Sequence, residues 1–217
     1  MEISKNNFPN IFVIFGSTGD LTYRKLMPAI YNLYIQNLLP NNFHIVCIGR
    51  REFSQDEYKQ RVVNSIKEFS KNTFNEEKIN SFRNIFEYLK LDFVHDESYG
   101  KLRNVIDMLC ESFNYDENIM YYMAVSPEFF SVIVDKLDKN GLASRKNGIK
   151  RIIIEKPFGE NLKSAMELND KITEIFTEKE TYRIDHYLGK EMSQNIMAIR
   201  FANPILESIW NHRYIEN

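Results

Sequence analysis

The chain is poor in the residues that mark specialised protein classes. Of its 217 residues only two are cysteine, Cys47 and Cys110. Each sits inside an apolar pattern with no partner at metal-ligand spacing, which excludes a disulfide-stapled scaffold or a zinc ribbon and leaves two buried thiols. No sign of charge dominates. There are 28 Lys and Arg against 30 Asp and Glu, a net charge of −2, with the basic residues spread along the chain, so neither nucleic acid nor an anionic membrane surface is expected as a partner. No apolar run approaches the ~18 residues of a membrane span, and Met1-Glu2-Ile3-Ser4-Lys5-Asn6-Asn7 lacks the apolar stretch of a signal peptide, so a cytoplasmic location is expected. Internal repeats and low-complexity linkers are missing too.

What is present reads as a globular protein. Hydrophobic residues make up 43% and charged residues 27% of the chain, which is long enough for one large domain or one and a half. Ile11-Phe12-Val13-Ile14-Phe15 has the composition of a buried parallel strand and stops at Gly16-Ser17-Thr18-Gly19-Asp20-Leu21. From Tyr23 to Asn37, Leu26, Ile30, Leu33 and Tyr34 recur at helical spacing, with Pro28 in the first turn or at a kink. The glycines therefore stand at a strand-to-helix junction. There a tight turn exposes backbone N–H groups and a helix N-terminus to a pyrophosphate. The spacing is not the standard Gly-x-Gly-x-x-Gly, since only Gly16 and Gly19 are present. Taken alone such a turn is common; its setting favours nucleotide binding over an ordinary turn.

The second apolar strand, His44 to Gly49, ends in Arg50-Arg51. Dinucleotide folds that use NAD carry an acid near this position for the ribose 2′-hydroxyl, whereas guanidiniums suit a 2′-phosphate, so the pair points to NADP unless it is merely a surface pair. Helices are expected over residues 54–71, 76–83, 99–113, 128–139 and 162–176. Strands are expected at 86–91, 118–125, 151–154 and 181–184. Strands and helices alternate, which specifies an α/β doubly wound parallel sheet, a Rossmann-like dinucleotide-binding domain. Ligands of such sheets lie beyond the carboxyl ends of the strands, so the turn from Ala124 to Pro127 is expected to face the nicotinamide half, or else to be an ordinary strand-to-helix turn. Lys156, in Glu155-Lys156-Pro157, points into the same crevice as a candidate for substrate and cofactor oxygens, next to a proline that can be cis. Finally, Arg183-Ile184-Asp185-His186-Tyr187-Leu188-Gly189-Lys190-Glu191 gathers an acid, an imidazole, a phenol and cations. Lys190 and His186 suit an anion such as a phosphate and Asp185 the orientation of a base, against the competing reading of a solvated loop with a helix start.

Three stretches together carry a family resemblance: Gly16 to Leu21 with Arg24-Lys25-Leu26, Ile154-Glu155-Lys156-Pro157-Phe158-Gly159, and Arg183 to Glu191. They resemble glucose-6-phosphate dehydrogenase, and the last is that family's signature. The likeness runs from about Ile11 to the end of the chain. It implies oxidation of C1 of glucose 6-phosphate to a lactone with hydride passing to NADP, NAD being a possible alternative. By resemblance Gly16, Ser17, Thr18, Gly19, Asp20 and Leu21 form the pyrophosphate site and Arg50 meets the 2′-phosphate. Lys25 and Lys156 lie near the sugar; His186, Tyr187 and Lys190 hold its phosphate; Asp185 orients a catalytic histidine. That histidine follows a Gln-Asn pair further on in the family and has no counterpart among His44, His95, His186 and His212. The resemblance thus implies residues 1–185 as an NADP-binding domain and 186–217 as the start of a β+α domain through which the family forms homo-oligomers. The 217 residues alone are expected to show little or no turnover. Two other readings stand beside it: a dinucleotide-binding module without turnover that acts as a regulator or partner, and a short-chain reductase. The latter needs Tyr-x-x-x-Lys, and none of the 12 tyrosines has Lys at that spacing.

Overall fold

A computed structural model of the chain describes residues 9–114, 116–159, 161–185, 190–211 and 213–215. The strands are β1 (Ile11–Phe15), β2 (His44–Gly49), β3 (Phe86–Lys90), β4 (Ile119–Met123), β5 (Lys150–Glu155) and β6 (Thr181–Ile184). They form one sheet in the order β3-β2-β1-β4-β5-β6, and β1 to β5 pair in parallel. The order reverses between β1 and β4, the switch point at which an open α/β sheet leaves a crevice above its strand ends. Register places Phe15, Ile48 and Met123 side by side, so the turns that follow β1, β2 and β4 leave the sheet at one level.

The helices are α1 (Met27–Ile35), α2 (Gln55–Phe69), α3 (Glu76–Phe82), α4 (Asp96–Phe113), α5 (Phe130–Lys139), α6 (Leu162–Ile175), α7 (Glu191–Ala202) and α8 (Pro204–Ile209). Their starts follow from side-chain chemistry. Ser54 and Glu57 close a reciprocal capping box on α2, Asn161 and Ser164 another on α6, and the Asn75 amide oxygen accepts from Glu77 N and Lys78 N at 2.9 Å each. Helix α4 buries Tyr99, Leu102, Ile106 and Leu109 and α5 buries Phe130, Ile133, Val134 and Leu137, both at helical spacing. These stripes pack on Ile11, Val13, Phe15, Tyr121 and Ile152 of the sheet, each fully buried side chain contributing about 1.5–3 kcal/mol.

One helix departs from the sequence pattern. Thr22 to Leu26 form a π-helical turn before α1, so the face that α1 buries is Met27, Pro28, Ile30 and Tyr31, while Leu33 is left exposed. The wider turn inserts an extra residue and rotates the apolar stripe away from the Leu26, Leu33 and Tyr34 expected from a continuous α-helix.

The chain divides into two compact units between Tyr182 and Arg183. In the second unit, Met192, Ile196, Met197, Ile199 and Phe201 of α7 are exposed. Among the described residues no helix is long and apolar enough to cross a membrane.

Candidate functional site: a cleft at the glycine turn

At the carboxyl ends of β1, β2 and β4 lies a cleft of about 300 Å³, floored by Gly16, Thr18, Gly19 and Gly49 and walled by Arg50, Arg51, Phe93 and the Ala124–Ser126 turn. The glycine turn is pinned from below, because Gly16 N and Ser17 N both donate to Ile48 O at 3.0 and 2.8 Å. It closes on itself through Gly19 N to Gly16 O at 2.9 Å. Gly16 has φ +86°, and a Cβ there would stand 2.1 Å from Ala124 O. The backbone of Gly16 thus approaches the β4 turn at a distance that excludes any side chain at this position.

Arg50 reaches this cleft on an aromatic seat. Its guanidinium lies 5.0 Å from the Phe129 ring centre and 5.6 Å from that of Phe93. Such contacts hold a guanidinium with its planar face on the rings at about 0.5–1 kcal/mol when exposed, and leave its N–H edge available. Near it the Asp92 carboxylate accepts from Val94 N at 2.9 Å, and this bond, then the neighbouring His95 and Arg50, holds its pKa below the ordinary range despite some desolvation. His95 Nδ1 is 3.3 Å from Asp92.

The residues singled out in the sequence fall into separate places. Gly16, Thr18, Gly19 and Arg50 line the cleft. Ser17 is fully buried, and its hydroxyl lacks a hydrogen-bond partner among the described residues. Asp20 turns outward to Arg24 at 3.4 Å, and Leu21 is half-buried. Lys25 stands exposed on the π turn. Lys156, also exposed, follows β5 directly and is joined to Pro157 by a cis peptide bond. Next to it Glu155 accepts from the Tyr122 hydroxyl. Asp185 follows β6, and Lys190 has extended backbone at the start of α7, both in the second unit. His186, Tyr187, Leu188 and Gly189 lie outside the described residues. Phe93, Phe129 and Glu128 line the cleft without having been anticipated; the available signal was an aromatic just past the end of β3 and another just past β4.

Of the histidines, His44 is largely buried at the amino end of β2, and burial, then the Lys59 charge, pulls its pKa down to about 4. His95 is exposed at the head of α4. His212 lies outside the described residues.

Residues 13–195 match the family described as "Glucose-6-phosphate dehydrogenase, NAD binding domain". The chain is 42% identical over 207 residues to a glucose-6-phosphate 1-dehydrogenase of Bacillus subtilis and 41% identical over 207 residues to that of Leuconostoc mesenteroides. Each alignment covers 95% of this chain, but only 41% and 42% of those relatives, so the chain spans about two fifths of their length. Among solved structures, a glucose-6-phosphate dehydrogenase in complex with glucose 6-phosphate superposes with a TM-score of 0.84 at 33% identity, covering 94% of this chain and 42% of that one. A glucose-6-phosphate 1-dehydrogenase from Mycobacterium avium superposes with a TM-score of 0.78 at 29% identity, covering 95% and 43%.

Proposed function

The chain belongs to the glucose-6-phosphate dehydrogenase family, and from that premise we propose that it supplies the dinucleotide-binding half of an enzyme that oxidises C1 of glucose 6-phosphate with NADP. The observation that carries this is the cleft itself, which is lined by a glycine turn and by a guanidinium seated on two aromatic rings. A pyrophosphate fits the first, because Gly16 admits no Cβ and, with Gly16 N, Ser17 N and Gly19 N bonded to carbonyls, the N–H groups at the start of the following helix are the donors for an anion. The second fits a 2′-phosphate or the face of an adenine. NADP, when bound, accepts the hydride that leaves C1. The protein's share of the chemistry is then binding, orientation and removal of the C1 hydroxyl proton.

In this reading Lys25 and Lys156 bear on the sugar, and His186, Tyr187 and Lys190 on its phosphate. Asp185 orients the base and stabilises it once protonated. General-base catalysis of this kind contributes about 10²–10⁴-fold. Neither described histidine serves as that base, since His44 lies at the opposite end of its strand from the cleft and His95 is engaged with Asp92. The 217 residues by themselves are accordingly expected to bind dinucleotide without turnover, the second reading of the chain, as a module that binds NADP and passes no hydride. Production of NADPH from glucose 6-phosphate by the purified 217-residue chain at rates typical of the family would refute this expectation. Oligomerisation through further sequence, and a cytoplasmic setting, belong to the same proposal.

Coenzyme choice has its own test. Arg50→Ala is expected to weaken NADP binding about 10- to 100-fold, the worth of a charged hydrogen bond to the 2′-phosphate, and NAD binding by much less. Titrating both dinucleotides against the variant decides it, because equal losses would assign Arg50 to adenine stacking alone.

A further inference from the structure

Two stacked tyrosines tie together the two sides of the cleft. Tyr58 comes from α2 and Tyr88 from β3, and their rings lie 4.5 Å apart at 23° to one another. Each hydroxyl is spent on a backbone carbonyl of a different cleft wall. Tyr58 Oη donates to Ser17 O in the glycine turn at 3.1 Å, and Tyr88 Oη donates to Arg51 O in the turn after β2. Burial pushes the Tyr88 hydroxyl up to about 12 and that of Tyr58 well above its ordinary value, so both are neutral donors near neutral pH.

The surroundings leave the pair little freedom. Tyr58 is fully buried and Tyr88 nearly so. The Tyr88 backbone is held at both of its polar atoms by one side chain, Gln55, whose amide donates to Tyr88 O at 2.6 Å and accepts from Tyr88 N at 2.9 Å. Gly49 completes the arrangement. A Cβ there would meet Thr18 Cγ2 at 2.7 Å and Tyr88 Oη at 2.8 Å, so the space beside this glycine is taken by the hydroxyl on its way to Arg51 and by a residue of the glycine turn.

We propose that Tyr58 and Tyr88 are positioning residues for dinucleotide selection, the stacked rings setting the spacing between the glycine turn and the Arg50–Arg51 turn. A dinucleotide has a fixed separation between its pyrophosphate and its adenosine ribose, so the distance between the two walls decides whether both ends are met at once. The inference rests on reading this cleft as the dinucleotide site. Within it the labour is divided: Tyr88 governs the guanidinium wall and hence the NADP-to-NAD ratio, while Tyr58 governs the glycine turn that both dinucleotides share.

Tyr→Phe removes each hydroxyl and keeps the ring stack, which makes the test selective. NADP and NAD are titrated against the 217-residue chain and its variants, with melting temperatures measured on the same samples. Tyr88→Phe is expected to raise the NADP Kd about 5- to 10-fold, one hydrogen bond's worth, and the NAD Kd less than about twofold. Tyr58→Phe is expected to raise both by a similar factor. Amide hydrogen exchange should follow the same division, accelerating across residues 50–54 in Tyr88→Phe and across 16–19 in Tyr58→Phe. Should Tyr88→Phe fail to fold, Gln55→Ala loosens the same residue from outside the stack and is expected to lower the NADP-to-NAD ratio in the same direction. A purely structural role would lower the melting temperature and weaken both dinucleotides equally in both variants, or neither, and that result overturns the inference alone. A wild-type chain that binds neither dinucleotide overturns the site reading and the inference with it.

Discussion

Gly16→Ala is expected to abolish dinucleotide binding and to lower the melting temperature of the chain in the same experiment. Three costs act together at this position. The first is conformational, since φ +86° lies in the left-handed region, where an L-residue with a Cβ pays about 1–2 kcal/mol. The second is steric. The new methyl would sit 2.1 Å from Ala124 O and 2.8 Å from Val125 Cγ1, and the nearer atom is main chain, which cannot swing aside as a flexible side chain would. The third follows from what holds the turn. Gly16 N and Ser17 N are bonded to Ile48 O, so displacing the turn from β4 breaks its attachment to β2 or drags that strand end with it. A displacement on the order of 1 Å is enough to spoil phosphate contacts that depend on main-chain N–H direction, and a loss of about 100-fold or more in affinity is expected. Titration with NADP and a thermal melt check both halves. Gly19→Ala is the control for stability: its Cβ would come no closer than 3.2 Å to Gly16 O, and its melting temperature should fall much less. Near-wild-type affinity in Gly16→Ala would mean that the turn is not the pyrophosphate site.

The parts of this site that could be read from the sequence are those encoded in contiguous residues. The apolar run Ile11–Phe15, its glycine turn and the helix behind it announce themselves through composition and spacing, and β1 to β5 form the parallel sheet that such alternation implies. Arg50 was legible as a cation at a strand end for the same reason. Its seat was not, because Phe93 and Phe129 reach it from the segments that follow β3 and β4, and no periodicity marks a residue as the floor under another. The stacked Tyr58 and Tyr88 are of the same kind, brought together only when α2 lies against β3. The buried face of α1 was misplaced because a π turn depends on an i→i+5 hydrogen bond, which residue type does not signal; Met27 N donates to Thr22 O here. Ser17, read as a phosphate ligand, is turned inward, with Tyr58 bonded to its carbonyl. A strand-to-helix turn alternates the directions of its side chains, so adjacent members of one motif can face opposite sides.

A second large effect is expected at the other end of the sheet, where the chain buries charge. Lys150, the first residue of β5, is fully buried; its ammonium donates to Glu117 O at 2.7 Å and stands 3.4 Å from the Glu117 carboxylate. Arg103 of α4 binds the same carboxylate, with Nη1 to Oε2 at 3.1 Å, and also Asp107 through Nε at 2.9 Å. The cluster joins α4, the loop that follows it and the start of β5. Removing Glu117 strands Lys150, while Arg103 keeps Asp107. Glu117→Ala leaves the fully buried Lys150 without a carboxylate and is expected to destabilise the chain by about 3–5 kcal/mol, the cost of an uncompensated buried charge. Adding Lys150→Met should recover part of that loss, so that the double variant is more stable than the two single losses sum to. The pH dependence has a definite sign. Burial pushes the Glu117 pKa up, but the Arg103 hydrogen bonds and charge, with that of Lys150, pull it further down, so in the folded chain it lies below its ordinary 4.5. Its contribution is therefore complete above about pH 4.5 and disappears as pH falls through the folded value. Burial lowers the Lys150 pKa more than Glu117 restores it, so the unfolded chain binds the proton better in the window below 10.5 and this residue's contribution rises with pH there. Denaturant melts of wild type and Glu117→Gln across acid pH measure the first effect: the wild-type curve should fall more steeply below pH 4.5 than the variant's. Parallel curves would show that Glu117 carries no linkage, and a double variant no better than additive would show that Lys150 and Glu117 are neighbours without being partners.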